Sequence, residues 1–469
     1  MTEVQRRLVA GLCLIAAVSF CVGASLTFML TPMLDDLGLT TDQAGTALAI
    51  PSIASLLIVF AVGRLGDRVG HRRVIIASSV TFVAGALLVA SATVMPVVSV
   101  GLVLAGASST AIQIVALGLL QSSIPEGRAR VSAFTSYGMV FPAVYLAVPV
   151  LTGWLVGVAS WRVVPLGWAL LGLLIPLLAL RLIERPAPAT AVGELWTPIL
   201  AGVALAGAVQ TINRIHDDGW TSPLTWLSAI VAVSALVACW LLVRSSRLTS
   251  LSLTALRSRT MLLMLAGVAL VAMANTLTYV MLGLEYLYGL TVLQAAVALV
   301  PAQAAAVVGA KVVAGRMMGR WGTPRAGRVM LGGFAITILS LVLVSATSPM
   351  WMLVVASSLF SLFGFGSITV VNAAVMSSAP AGAAGMVSAY RGAASSLGTA
   401  FSVVILGAAV TAVVTATSTS AAGEQPDPAA LANGLRVDGL VGSAIAGLAW
   451  AAFTLAMRRR GAEAVAQPA

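Results

Sequence analysis

The feature that most constrains this chain is a succession of apolar stretches of about 20 residues, separated by short segments that carry charge, Pro or Gly. A helix of that length spans the hydrocarbon core of a bilayer, whereas a strand of a membrane barrel needs only about 10 residues. Backbone groups in lipid must also be paired internally, which favours helices. With 59% hydrophobic and 9% charged residues, the chain has more apolar side chain than a water-soluble core can bury. The sequence therefore predicts an all-α, polytopic membrane protein.

The apolar stretches predict fourteen membrane-spanning helices in three groups. The first six lie at residues 8–34, 43–62, 74–92, 96–121, 130–157 and 161–182. Two more follow a Pro-containing break, at residues 196–214 and 223–243. The last six lie at residues 260–286, 291–313, 327–346, 350–376, 384–414 and 437–457. We interpret this order as a six-helix bundle (1–185), two additional helices with a linker (186–256) and a second six-helix bundle (257–469).

The basic residues predict the orientation of these helices. Lys and Arg accumulate in cytoplasmic loops. With the N-terminus inside, 23 of the 26 basic residues fall on the cytoplasmic side, and Arg162, Arg214 and Arg436 remain outside. This distribution predicts a multi-pass protein of the cell (inner) membrane with both termini in the cytoplasm. The net charge of +11 is scattered between apolar runs, so it indicates topology and no nucleic-acid partner.

A glycine-rich, charged segment follows the second span and reads GRLGDRVGHRR over residues 63–73. Gly63 and Gly70 permit tight turns and a close approach of helices. The Asp67 carboxylate can accept hydrogen bonds from the free N–H groups that open a neighbouring helix. A basic loop that only sets the topology is the alternative, but charge alone does not require glycines at this spacing.

This segment resembles the loop signature of the major facilitator superfamily. Three further segments, 219–223, 284–289 and 391–400, resemble the fourteen-helix drug/proton antiporters of that superfamily. The resemblance implies two six-helix bundles plus two inserted helices, and transport by alternating access. It also implies that Asp67 closes a gate against the start of the thirteenth span, near residues 382–387. The gating residues that it implies are Gly63, Asp67, Arg68, Gly70, Arg72 and Arg391.

The sequence also departs from this family. Val22 stands where the first span commonly carries Asp, and Leu102 stands where the fourth span commonly carries Arg. The charges that usually couple transport to protons are therefore missing. Glu285, near the outer end of the ninth span, is the candidate that replaces them, because an ionisable group in a span is by default a functional-site hypothesis. The alternative is an interfacial Glu whose carboxylate reaches water at the helix end.

Polar side chains inside the predicted spans are candidates for a substrate cavity. An amide left unpaired in lipid is unfavourable, so a set of amides spread over several spans suggests a polar path. Each of them alone is better explained by packing and hydrogen bonding between helices. The cavity candidates are Gln113, Gln210, Asn213, Asn275, Gln303 and Asn372.

The sequence favours a transporter over a membrane-embedded enzyme. The two histidines, His71 and His216, are predicted on opposite sides of the membrane, and we identify no catalytic constellation, metal site, cofactor site or ATP-binding motif. Two functions remain open. One is proton-coupled efflux of small amphipathic or drug-like compounds, and the other is facilitated movement or export of a specific metabolite without protons. The expected partners are a small-molecule substrate, protons and the lipid bilayer, and we expect a monomer.

Overall fold

The computed structural model describes residues 1–38, 41–184, 195–217, 219–245, 258–274, 276–380, 382–418 and 427–466. These residues are predominantly helical. The helices of the first half are α1 (Glu3–Leu37), α2 (Thr41–Val69), α3 (His71–Ala90), α4 (Met95–Ser123), α5 (Arg128–Gly138), α6 (Val140–Val158), α7 (Val163–Leu182), α8 (Trp196–Asp217) and α9 (Pro223–Ser245).

The second half contains shorter helical pieces as well as long helices. They are α10 (Arg259–Met273), α11 (Leu277–Tyr286), α12 (Val292–Ala298), α13 (Val300–Val308), a π-helical turn (Gly309–Val313), α14 (Ala314–Ile338), a 3₁₀ turn (Leu339–Leu343), α15 (Met350–Met376), α16 (Ala384–Thr417) and α17 (Pro428–Ala466). The predicted ninth span is thus interrupted between α10 and α11.

Thirteen helical segments of the described chain are long and apolar enough to cross a membrane. One of them, Leu293–Leu343, has 51 residues and would measure about 77 Å as one helix, more than twice the thickness of a bilayer core. The backbone breaks inside it at Gly322, where φ is 75° and ψ is 163°. The segment therefore supplies two of the predicted spans, and the all-α, polytopic fold is confirmed.

The start of the last helix differs from the prediction. The sequence placed it at residue 437, whereas α17 begins at Pro428. Proline suits the first helical position because its fixed φ fits a helix and its missing N–H has no partner there. Just before it, Asp427 caps the helix, accepting a hydrogen bond of 2.7 Å from the Ala430 N–H. The first turns of α17 are too polar to be recognised as part of an apolar stretch, which explains the error.

The described chain divides into two compact units. The first contains Met1–Thr211, Ser222–Ala255 and Ala379–Ala393, and the second contains Ile212–Thr221, Leu256–Ser378 and Ala394–Ala469. All of α9 and most of α8 therefore belong to the first unit. The three-part division drawn from the sequence stays a prediction.

Glycines set the closest helix packing in the first unit. A Cβ atom at Gly85 of α3 would lie 2.7 Å from the Gly101 carbonyl oxygen, and one at Gly101 of α4 would lie 2.8 Å from the Gly85 carbonyl oxygen. Small residues of this kind let the backbones of two membrane helices touch. The inserted helix α8 uses the same device, because Gly202 faces the Leu57 carbonyl of α2 and Gly207 faces Ala232 of α9. Helix α8 thus packs between α2 and α9.

A charged cluster joins the end of α1 to the start of α7. Asp36 forms an ion pair with Arg162 and accepts a hydrogen bond of 3.1 Å from the Trp161 indole N–H. Arg162 also donates to the Ala92 carbonyl at 3.0 Å, and its guanidinium lies over the Trp161 ring. The hydrogen bonds from Arg162 and Trp161 hold the pKa of the Asp36 carboxyl below its usual value.

We expect the Asp36 cluster to make stability depend on pH. A lowered folded-state pKa contributes stability above the unfolded value of about 3.9 and loses that contribution as the pH falls through the folded value. The Asp36→Asn variant should therefore melt below the wild type at pH ~7, and the difference should shrink at acidic pH. Thermal unfolding in detergent measures this. The exposed neighbour provides the control Asp35→Asn, and an equal deficit of Asp36→Asn at both pH values would contradict the expectation.

Candidate gating and transport site

The Asp67 side chain, in the last turn of α2, binds the N-terminus of α16. Its Oδ1 accepts a hydrogen bond of 2.8 Å from the Gly385 N–H, and its Oδ2 accepts one of 3.0 Å from the Met386 N–H. The first N–H groups of a helix lack partners in the helix and carry partial positive charge, so a carboxylate is a favourable ligand for them. Both sides of this contact belong to the first unit. The partner segment is the one that the sequence analysis expected.

Glycines allow the backbones to meet at the Asp67 contact. A Cβ atom at Gly63 would lie 2.8 Å from both the Gly385 carbonyl oxygen and the Ala389 Cβ. A Cβ atom at Gly118 of α4 would lie 3.3 Å from the Gly385 Cα. Real side chains essentially never approach as closely as the first of these distances, so the contact requires Gly63. The close approach of α16 therefore explains why position 63 is a glycine, whereas a basic loop that only sets the topology would not require one.

The other predicted gating residues differ in backbone conformation, burial and hydrogen bonding. Gly70 has φ of 100° and ends the turn between α2 and α3, a conformation that favours glycine. Arg68 is half-buried one residue beyond Asp67. Arg72 donates a hydrogen bond of 3.3 Å to the Leu180 carbonyl at the end of α7. Arg391 lies six residues after Gly385, about 9 Å farther along α16.

The second half has no carboxylate at the corresponding position. The segment Gly315–Gly322 echoes the 63–73 motif, and Gly319 stands where Asp67 stands in the first half. A Cβ atom built at Gly319 would meet no heavy atom within 4 Å among the described residues. The helix-terminus contact is therefore a feature of the first half alone within the described chain.

A polar cluster lies deeper in the first unit. The Tyr137 hydroxyl donates a hydrogen bond of 3.1 Å to the backbone carbonyl of Gln113. Arg391 interacts electrostatically with Tyr137, and its Nε is buried without a hydrogen-bond partner among the described residues. A guanidinium is rarely enclosed without partners, because its N–H groups lose their hydration there. Tyr137 thus links the backbone of one cavity candidate, Gln113, to Arg391, which the sequence analysis assigned to the gate.

The remaining cavity candidates lie on several other elements. Gln210 and Asn213 are half-buried on α8, the inserted helix. The Oε1 of Gln303, on α13, is buried without a partner among the described residues. Asn372 is half-buried on α15, and Asn275 lies outside the described residues. Their role in substrate binding stays a prediction.

The two carboxyl groups of the ninth and last spans differ in burial. Glu285 is half-buried one residue before the end of α11, and the adjacent Tyr286 is 51% exposed. Asp438, on α17, is 0% exposed. The sequence analysis placed Asp438 second in the last span, at the edge of residues 437–457, and did not single it out. The sequence Asp427-Pro428, a helix-start signal, indicates the longer helix that places Asp438 well inside.

These features define a multi-pass membrane protein whose loop motif binds a helix N-terminus. The family model described as the Major Facilitator Superfamily matches residues 12–403, which is most of the chain. The protein therefore belongs to the Major Facilitator Superfamily, whose members transport small molecules across membranes.

Several relatives have names that state an activity. The chain is 27% identical to the drug efflux pump JefA of Mycobacterium tuberculosis over 420 residues, which cover 86% of this chain and 80% of the relative. It is 27% identical to the tetracenomycin C resistance and export protein of Streptomyces glaucescens over 367 residues, 76% of this chain and 66% of the relative. An uncharacterized MFS-type transporter of Mycobacterium tuberculosis is 32% identical over 128 residues, but the match spans only 18% of that protein.

Two solved structures show the same fold. The human organic anion transporter MFSD10 (TETRAN) superposes with a TM-score of 0.67 at 12% identity, covering 97% of this chain and 100% of that chain. A bacterial homologue of the iron transporter ferroportin, in its outward-facing state, superposes with a TM-score of 0.63 at 14% identity over the same shares of the two chains. At these identities the likeness shows the fold alone.

Proposed function

We propose that this protein is a secondary active transporter that exports small amphipathic, drug-like compounds by alternating access, driven by protons. The observation that carries the mechanism is the contact of Asp67 with the N-terminus of α16. The substrate class is supported by the relatives named as a drug efflux pump and as a tetracenomycin C resistance and export protein. The protein is placed in the cell (inner) membrane as a monomer, with both termini in the cytoplasm.

The Asp67 contact serves as a cytoplasmic latch in this proposal. A carboxylate at a helix N-terminus contributes about 0.3–1 kcal/mol at exposed sites and up to about 2 kcal/mol when partly buried. A contact of that strength favours one conformation without trapping it, which suits a gate that opens in every cycle. Opening inward would separate residues 63–67 from residues 385–389. Gly70 and Arg72 would hold the loop in place while the latch opens and closes.

The polar cluster of Gln113, Tyr137 and Arg391 is the proposed substrate contact in the first unit. An Arg guanidinium with a buried, unpartnered N–H can bind a carbonyl, phenolate or carboxylate oxygen of an amphipathic compound. The amides of Gln303 and Asn372 are proposed contacts in the second unit. Glu285 remains the candidate for proton coupling that follows from the sequence. Transport without protons is the alternative, since Val22 and Leu102 replace the usual charges.

Expression in a bacterial strain that lacks its own efflux pumps tests this proposal. We expect cells with the protein to accumulate less ethidium and to tolerate a panel of amphipathic antibiotics better than cells with an empty vector. A proton uncoupler should remove both effects. Export that persists with the uncoupler would favour the uncoupled alternative. Normal accumulation of every compound, with the protein present in the membrane, would contradict the drug-like substrate class.

A further inference from the structure

Asp438 is a buried carboxyl group of the second unit that has no hydrogen-bond partner among the described residues. Its exposed fraction is 0%, and neither Oδ1 nor Oδ2 has a hydrogen-bond partner among the described residues. Buried polar atoms are normally hydrogen-bonded, and an exception calls for an explanation. Inside a membrane helix, an ionisable residue of this kind is rare and is most often functional.

The helix that faces Asp438 is interrupted beside it. Helix α10 ends at Met273 and α11 begins at Leu277. Thr276, at the end of this gap, is 1% exposed, and its Oγ1 has no hydrogen-bond partner among the described residues. A Cβ atom at Gly442, one turn after Asp438 on the same face of α17, would lie 2.8 Å from the Thr276 Cγ2. Two unsatisfied polar side chains therefore lie at the same helix interruption, which is where membrane transporters place ion sites.

The charged and titratable groups around Asp438 provide no counter-charge. From α11, Tyr279 lies close enough to interact electrostatically with the carboxyl group. Arg436, on the same helix, donates instead to the Val344 carbonyl at 3.0 Å and to the Asn433 Oδ1 at 3.3 Å. The residues packed against neighbouring positions of α17 are apolar, such as Leu341 and Val410. No salt bridge with Asp438 forms among the described residues, so nothing there stabilises an ionised carboxylate.

We propose that Asp438 is the proton-binding site of this transporter, occupied in the arrangement described here and emptied during each cycle. A carboxyl group with no donor and no cation around it is accommodated as the neutral acid, because burial of an unpaired charge is far more unfavourable. Separation of α17 from the α10–α11 gap would admit water. The Asp438 O–H bond then breaks, the proton passes to water on the inner side, and the carboxylate later takes a proton from water on the outer side.

This assignment explains how coupling can persist without the usual charges of the first and fourth spans. Glu285 is half-buried at a helix end, one residue before the exposed Tyr286, and is therefore not enclosed in the arrangement described here. Asp438 is enclosed, so its access to water must change with conformation, and proton coupling requires such a change. The inference rests on the proposed function for its transport experiment only, since protonation is measured without a substrate.

Infrared spectroscopy of the purified protein in detergent tests the protonation. We expect a carbonyl band of a protonated carboxylic acid at neutral pH in the wild type and its loss in Asp438→Asn. Asp427→Asn, the same change at the cap of the same helix, is the control, and the band should remain. The Asn side chain is neutral and close in shape, so thermal unfolding should show a folded variant. Absence of the band in the wild type, or its survival in Asp438→Asn, would overturn the proposal.

Proteoliposomes loaded with ethidium test the coupling. We expect Asp438→Asn to lose transport driven by a pH gradient while it retains exchange of ethidium across the membrane without a gradient. Gradient-driven transport at the wild-type rate in this variant would overturn the assignment. Wild-type transport that requires a sodium gradient and does not respond to a pH gradient would overturn it as well. Loss of gradient-driven transport in Glu285→Gln but not in Asp438→Asn would do the same and favour Glu285. If wild-type protein moves neither ethidium nor another amphipathic probe, the proposed function fails, and the infrared result still decides the state of Asp438.

Discussion

The Asp67→Asn variant is expected to fold normally and to transport at about one-tenth of the wild-type rate, because a partly buried carboxylate at a helix N-terminus contributes up to about 2 kcal/mol and 1.4 kcal/mol corresponds to a factor of ten. The Asn side chain keeps one oxygen for the Gly385 N–H. It presents an NH₂ group where Oδ2 now accepts from the Met386 N–H. It also removes the charge that interacts with the N-terminus of α16.

Export of ethidium at matched expression, with thermal unfolding of the purified protein, measures both parts of this expectation. Glu126→Gln is the matched control, since the Glu126 side chain is 81% exposed in a different loop and pairs with Arg130, four residues along the chain. That control should export normally. Transport by Asp67→Asn at the wild-type rate would show that the contact with Gly385 and Met386 is structural and does not act as a latch.

The Gly101→Leu variant is expected to fail to fold or to lose most of its stability. A Cβ atom at this position would meet the Gly85 carbonyl at 2.8 Å and the Val89 backbone N at 2.9 Å. Extra methylene groups in a packed interior typically cost about 1–3 kcal/mol, and the cost rises where backbone, which cannot rotate away, is the obstacle. Helices α3 and α4 would have to move apart along their whole interface.

The yield of monodisperse protein and its melting temperature in detergent measure this effect. Gly157→Leu is the control, because Gly157 of α6 is exposed and a Cβ atom there meets nothing within 4 Å. The control should be purified and should melt like the wild type. A Gly101→Leu protein with wild-type yield and melting temperature would mean that α3 and α4 do not approach as closely as the structure shows.

The two halves of the chain differ at the position of the Asp67 contact. The first half has the Asp67 contact, whereas its echo has Gly319 at the matching position and the Gly322 break shortly after it. In the proposed mechanism, the contact of Asp67 in α2 with the N-terminus of α16 is the single contact that favours one conformation, so one substitution is enough to remove it. The proposed proton site lies in the second unit. Gating and coupling are thus assigned to different parts of the chain, and their variants are expected to have separable effects.

The sequence alone determined the class of the fold and predicted that Asp67 contacts the N-terminus of a helix. The length of the apolar stretches decides between helix and strand, because the thickness of the bilayer sets how many residues each needs. The spacing of Gly63, Asp67 and Gly70 indicated a close contact with a helix N-terminus, because these residue types have local steric and electrostatic reasons to be there. Such properties depend on residues that are near one another in the chain.

Tertiary structure decided which polar residues are enclosed and what they face. Asp438 lies at the first turn of the predicted last span, and only the packing of α17 against the α10–α11 gap shows that both of its oxygens are without partners among the described residues. The placement of Arg391 beside Tyr137 likewise joins residues that are far apart in the chain. Burial depends on which helices lie alongside, and the apolar pattern that identifies a span carries little information about its neighbours. The proposed proton site therefore became visible only when the helices were placed side by side.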